Sequence, residues 1–176
     1  MLIVMAGLPA AGKSTIAEII GNRLGIPVIS VDPIESAILS AGIDSDQPTG
    51  LAAYLVAETM AESVLVGGGG VIVDAVNAVL PAREQWVHLA ERQAAVIRFI
   101  EVVCTDQELH RERVEARGRK LAHLAEPTWH AVEQSLDEWE DWSGPSAVVA
   151  RITVDSSGPL GANVDQALAF LEPAVD

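Results

Sequence analysis

The sequence predicts an α/β fold, a parallel sheet covered by helices on both faces, and three observations carry that reading. Apolar, β-rich runs alternate with helix-like segments along the whole chain. The octapeptide Gly7-Leu8-Pro9-Ala10-Ala11-Gly12-Lys13-Ser14 follows the first such run and opens the first helical pattern. Two further runs, "VISVD" and "VIVD", each end on an acid, Asp32 and Asp74, which puts carboxylates at the carboxyl edge of the sheet, where open α/β folds bind ligands.

The chain of 176 residues, 49% hydrophobic, suffices for one domain with a sizeable core spanning 1–176. The apolar runs place strands at Leu2–Met5, Pro27–Val31, Val71–Asp74, Ala95–Val103 and Ala147–Val154. Helical periodicity and stop signals place helices at Lys13–Leu24, Pro33–Ala41, Gly50–Val66, Pro81–Gln93, Asp106–Arg117, Thr128–Trp142 and Leu160–Leu171. Gly67 to Gly70 reads as the reversal between the third helix and third strand. The segment Gly118 to Pro127, rich in charge between glycine and proline, reads as a flap.

Charge and cysteine content exclude several classes. With 11 basic and 25 acidic residues the formal net charge is −14, which disfavours nucleic acid as a partner. A single cysteine, Cys104, rules out an internal disulfide and a cysteine-based metal cluster. His88, His110, His123 and His130 lack the spacing of a zinc site. No run approaches bilayer-spanning length, so the expectation is a cytoplasmic protein with no membrane association. Yet Arg111, Arg113, Arg117, Arg119 and Lys120 crowd into ten residues, either a solvated helix face or a local anion clamp.

The octapeptide fits G-x4-G-K-[ST] in its strand–loop–helix context. Its glycines let backbone N–H groups converge on phosphate oxygens, Lys13 reaches the terminal phosphates, and the Ser14 hydroxyl suits Mg²⁺. The N-K-x-D guanine-reading motif is missing, and Asp74 is followed by Ala75 rather than a second acid, which argues against a GTPase switch and an AAA+ motor. Phosphoryl transfer to an acceptor remains. Asp32 is the candidate base for an acceptor hydroxyl, or the cap of a helix beginning at Pro33; the two roles are compatible. Asp74 is the candidate acid behind a metal-bound water, and Asn77 either touches the acceptor or orients its loop.

Taken in order, Gly7 to Thr15, Asp32, "VIVDAVN" and "RVEARGR" resemble the small P-loop kinases related to chloramphenicol phosphotransferase, gluconate kinase and the polynucleotide-kinase phosphotransfer domain. "DQPTGLAAYLVAE", "EVVCTDQELHRERVEAR" and "PTW" look more closely like a group of bacterial AAA-domain ATPases, almost end to end. The resemblance implies a three-layer P-loop NTPase fold, strand order 2-3-1-4-5, ATP with Mg²⁺, and an arginine-bearing lid at about 113–130. It places lid arginines at Arg113, Arg117 and Arg119, with Arg117 favoured against phosphate or adenine. It sets "DSSGPL", with Ser156 and Ser157, beside adenine, and it suggests Thr49, Tyr54 and Arg83 as acceptor contacts.

The tryptophans Trp129, Trp139 and Trp142 read first as packing. The chain departs from the kinases it resembles at "DPIESAI", where polynucleotide kinases and several antibiotic kinases carry an arginine shortly after the acid, and that departure favours an uncharged or cationic acceptor. The expectation is therefore a small-molecule kinase acting on a hydroxyl group. Its rivals are a regulatory ATPase without a small acceptor and a polynucleotide 5'-hydroxyl kinase.

Overall fold

The computed structural model describes residues 1–118 and 121–172. Five strands, β1 (Leu2–Ala6), β2 (Val28–Ser30), β3 (Val71–Asp74), β4 (Ile97–Val103) and β5 (Arg151–Asp155), form one parallel sheet in the order β2-β3-β1-β4-β5. The helices are α1 (Lys13–Leu24), α2 (Val31–Ser40), α3 (Thr49–Val66), α4 (Leu80–Arg92), α5 (Gln107–Ala116), α6 (Trp129–Asp137), α7 (Gly144–Ala147) and α8 (Leu160–Leu171).

Why β1 is central follows from its composition. All five residues are apolar and fully buried, as a strand covered on both faces requires. Side chains alternate across it: Leu2 and Val4 join Val71, Val73, Phe99 and Trp86 on the face under α3 and α4, while Ile3 and Met5 join Ile16, Ile20, Ile100 and Leu171 under α1 and α8. The register pairs Met5 with Asp74 and Ser30 with Asp74, so the ends of β1, β2 and β3 meet at one rim.

Helix α3 is built the reverse of the usual amphipathic helix. Ala53, Ala57 and Ala61 form its buried stripe, small enough to lie close on the sheet, whereas Leu51, Leu55, Val56, Met60 and Val66 are exposed. Its 18 residues, with mean hydropathy 1.2, are long and apolar enough to cross a membrane by length and composition. That corrects the expectation that no segment approaches this length, although the alanine stripe is spent on the sheet.

Tertiary contacts moved three boundaries. Val31 belongs to α2 instead of β2, with Ser30 as the extended N-cap residue, so Asp32 stands in the first turn of a helix rather than at a strand end or as its cap. The expected start of β5 is taken by α7, with Pro145 in its first turn. Helix α6 stops at Asp137 because Glu140 turns away to the loop after β3, its N–H donating to the Ala78 carbonyl and its own carbonyl accepting from Arg83.

Candidate functional site

The loop between β1 and α1 is shaped by backbone geometry that its sequence anticipates. Gly7 has φ +143°, and a Cβ there would lie 2.2 Å from the Val102 carbonyl oxygen. Gly12, at φ +98°, is the N-cap of α1, and the first intrahelical bond runs from Ile16 N–H to its carbonyl. The N–H groups of Gly12, Lys13, Ser14 and Thr15 therefore stand ahead of the helical ladder, at the positive end of its dipole. Ala10 holds a left-handed backbone, φ +60°, unusual for a residue with a Cβ and typical of strain kept at working sites.

These residues wall a cavity of about 650 Å³. Its lining includes Pro9, Ala10, Gly12, Lys13, Ser14 and Thr15 of the loop, the acids Asp32, Glu35 and Asp74, Arg113 and Arg117, and Ser156, Gly158 and Asn163. Gly7, Leu8 and Ala11 face instead a second hollow of about 390 Å³ that Trp129, Leu136 and Trp139 also line. Gly7, whose N–H is given to the Val76 carbonyl, shapes the loop from behind.

Lys13 is largely buried, and its Nζ donates to the Leu8 carbonyl at 2.8 Å, folding the side chain across the loop it serves. Asp74, buried at the end of β3, accepts from the Ser30 hydroxyl at 2.9 Å. Ser14 and Asp74 share the cavity, and no group of three His, Cys, Asp or Glu side chains forms a metal cluster among the described residues. This sparse oxygen donor set fits Mg²⁺, which keeps several waters and leans on phosphate oxygens.

Two arginines leave α5 in different directions. Arg113 donates to the Ser156 hydroxyl at 2.8 Å and to the Ser156 carbonyl at 3.0 Å, fixing the loop after β5 against Gly12. Arg117 meets Asp32 at 3.1 Å and Glu126 at 3.5 Å. It is tied to the acid expected on the acceptor side and lines the same cavity as the phosphate loop. Arg119, the third expected lid arginine, lies outside the described residues. The segment after Arg117 is tied to α2 by Ser36, whose hydroxyl donates to the Ala122 carbonyl at 2.7 Å, and it contributes Leu124, Ala125 and Pro127 to the cavity.

Ser156 is in the wall, but Ser157 is not; its N–H and the Thr105 hydroxyl donate to Asp155. Those bonds, the Thr105 hydroxyl foremost, hold the Asp155 carboxyl well below the usual carboxylate range.

Four residues expected as acceptor contacts are engaged by partners within the protein. Asn77 is wholly buried, its amide donating to the Met5 carbonyl at 2.7 Å and accepting from the Trp86 indole at 2.9 Å. Arg83 is also wholly buried, its guanidinium spent on the carbonyls of Asn77, Ala78 and Glu140 and stacked on Trp142 at 4.2 Å. Tyr54 lies behind the wall; its hydroxyl accepts from Asn77 N–H at 3.2 Å, and burial chiefly, then the Asp32 and Asp74 charges, push it up to about 12. Thr49 is buried, and its hydroxyl is given to Glu35 at 2.8 Å, so it reaches the cavity only through that side chain.

Glu35 and His110 are the residues that the sequence reading missed. Glu35 was legible as the i+3 companion of Asp32 on a helix. His110 is buried on α5 with Nε2 2.8 Å from the Pro9 carbonyl, bracing the phosphate loop from behind, and no spacing rule announces such a contact.

A glycine-shaped loop at a helix N-terminus, an acid at the end of the adjacent strand and cationic side chains over the same cavity define a P-loop nucleotide-binding protein with the small kinase-like fold. The chain belongs to the AAA domain family (AAA_33), whose model matches residues 2–141. A comparison with curated proteins finds no match. Solved structures share the fold at low identity. A putative kinase from Chloroflexus aurantiacus is 20% identical with TM-score 0.77, covering 97% of this chain and 98% of its own. Chaetomium thermophilum Kti12 in complex with ADP-AlF3 is 19% identical with TM-score 0.69, covering 98% and 100%. A gluconokinase from Sinorhizobium meliloti is 23% identical with TM-score 0.66, covering 96% and 90%.

Proposed function

We propose that the protein is an ATP- and Mg²⁺-dependent kinase that transfers the γ-phosphoryl group of ATP to a hydroxyl of a small molecule. The observation that carries this reading is the sharing of one cavity by the phosphate loop, a helix-borne carboxylate at Asp32, and two arginines. Simple hydrolysis needs no second carboxylate-lined end.

In this mechanism the N–H groups of Gly12 to Thr15, with Lys13, hold the β- and γ-phosphates, and Ser156 bounds the nucleoside end. Mg²⁺ would be held by Ser14 and, through water, Asp74, and supplies charge neutralisation. Asp32 accepts the proton of the acceptor hydroxyl as its oxygen bonds to the γ-phosphorus. The bond from that phosphorus to the β,γ-bridging oxygen breaks, and ADP leaves with its electron pair. Arg117, beside Asp32, and Arg113 neutralise the charge that builds on the transferring group.

A regulatory nucleotide switch is the second reading, favoured by the Arg117 contact that engages Asp32. One experiment separates them: γ-labelled ATP offered with nucleosides, sugars and aminocyclitols to wild type and Asp32→Asn. We expect label on a hydroxylated compound, reduced by about 10² to 10⁴ in the variant, with nucleotide affinity retained. Label passing only to water, at equal rates in both proteins, refutes the kinase.

A further inference from the structure

The cavity wall holds a carboxylate, Glu35, that the phosphoryl-transfer scheme does not use. Asp32 and Glu35 stand three residues apart on α2 and project into the same space. Glu35 is held from one side only. Its Oε1 accepts from the Thr49 hydroxyl at 2.8 Å, in the first turn of α3, and Oε2 has no hydrogen-bond or ion-pair partner among the described residues. Gly50 lies beside the carboxylate, where a Cβ would stand 3.6 Å from Oε1 and 3.9 Å from Oε2, in ordinary contact. Leu124, Ala125 and Pro127 supply apolar surface to the same cavity.

Charge balance decides what such a wall accepts. Among the described residues the other charged groups of the cavity are Lys13, Arg113 and Arg117, which phosphate oxygens would draw, Asp74, which would serve the metal, and Asp32, which meets Arg117. Glu35 is left in a partly buried place with no cation on it among the described residues, and a ligand that buries the carboxylate must compensate it. An ammonium group does so fully, a hydroxyl in part, and a carboxylate or phosphate adds repulsion.

We propose that Glu35 reads an amino group, and that the acceptor is a hydroxylated amine bound with its ammonium on Glu35, its hydroxyl on Asp32 and its carbon skeleton against Leu124, Ala125 and Pro127. This rests on the kinase reading for the fate of the hydroxyl, but not for the binding. It separates this chain from any enzyme whose acceptor is a sugar acid. Thr49 is a positioning residue, acting by aiming Glu35.

The test uses a matched panel, glucosamine, glucose and gluconate together with an aminocyclitol and inositol, presented to the full chain loaded with a non-hydrolysable ATP analogue and Mg²⁺. Binding is measured by calorimetry, and label transfer from γ-labelled ATP is followed in parallel. Wild type should bind an amine of the panel at least about tenfold more tightly than its neutral partner, and Glu35→Gln should erase that preference. Thr49→Val, which keeps the carboxylate but frees it, should raise KM for the amine more than it lowers kcat. Nucleotide titration of each variant reports whether the fold is intact. Equal or better binding of glucose or gluconate, a preference that survives Glu35→Gln, or no binding of any amine overturns the inference. Amine preference with label passing only to water, at equal rates in wild type and Asp32→Asn, refutes the kinase and leaves Glu35 standing; transfer to a neutral sugar by wild type and Glu35→Gln alike does the reverse.

Discussion

Burial sets the chemistry of Tyr54, the sole tyrosine. Its phenol sits among Asn77, Asp32 and Asp74 and is pushed up to about 12, with desolvation the largest cause. The folded state holds this proton more tightly than the unfolded chain, whose phenol titrates near 10. The stabilisation is therefore complete below pH 10 and is lost as pH rises through 12. Near-ultraviolet absorbance of tyrosinate reads this site alone. The signal should stay silent while the protein is folded and appear with unfolding, and Tyr54→Phe should flatten the alkaline loss of stability. A folded protein that ionises near pH 10 contradicts the placement. Arg83 carries the same lesson for packing: three backbone carbonyls bind its guanidinium, so removing it strands buried acceptors at about 1–3 kcal/mol each.

Among the elements, α5 connects the most parts of the site. Asp106 caps it by accepting from Leu109 N–H, His110 reaches the Pro9 carbonyl, and Arg113 grips Ser156. Asp106→Ala should cost about 1 kcal/mol of stability, read by chemical denaturation, and should also weaken nucleotide binding several-fold, because a frayed first turn loosens His110. Lost stability with unchanged affinity shows that α5 does not brace the loop. What was legible here follows from range in sequence. The phosphate loop, α1 and the end of β3 are set by neighbours within a few residues, so the places of Lys13, Ser14 and Asp74 were legible, whereas the end of β2 was not and Asp32 lies in the first turn of α2. That Asn77 and Arg83 are buried was not legible, because Met5 and Glu140, which bind them, come from distant segments. The early end of α6 has that same cause.

At the scale of the whole molecule, charge works in two opposed ways. A net charge of −14 strains the folded state by self-repulsion. Exposed pairs such as Arg23–Asp165 and Arg111–Glu115 offset little of it, because solvent screens them. Lys13, Arg113 and Arg117 nevertheless concentrate cations around one cavity. Salt screens repulsion and attraction alike, with a Debye length falling from about 30 Å at 0.01 M to about 8 Å at 0.15 M. Stability and affinity should therefore diverge. Between those ionic strengths, Tm of the nucleotide-free protein should rise by a few degrees, while affinity for the ATP analogue, held at saturating Mg²⁺, should fall severalfold. The two trends are separable by thermal melts and titrations in an inert monovalent salt. A falling Tm would mean that attractive pairs outweigh the acidic surplus, and a rising affinity would mean that the overall negative field, not the local arginines and lysine, governs what reaches the loop.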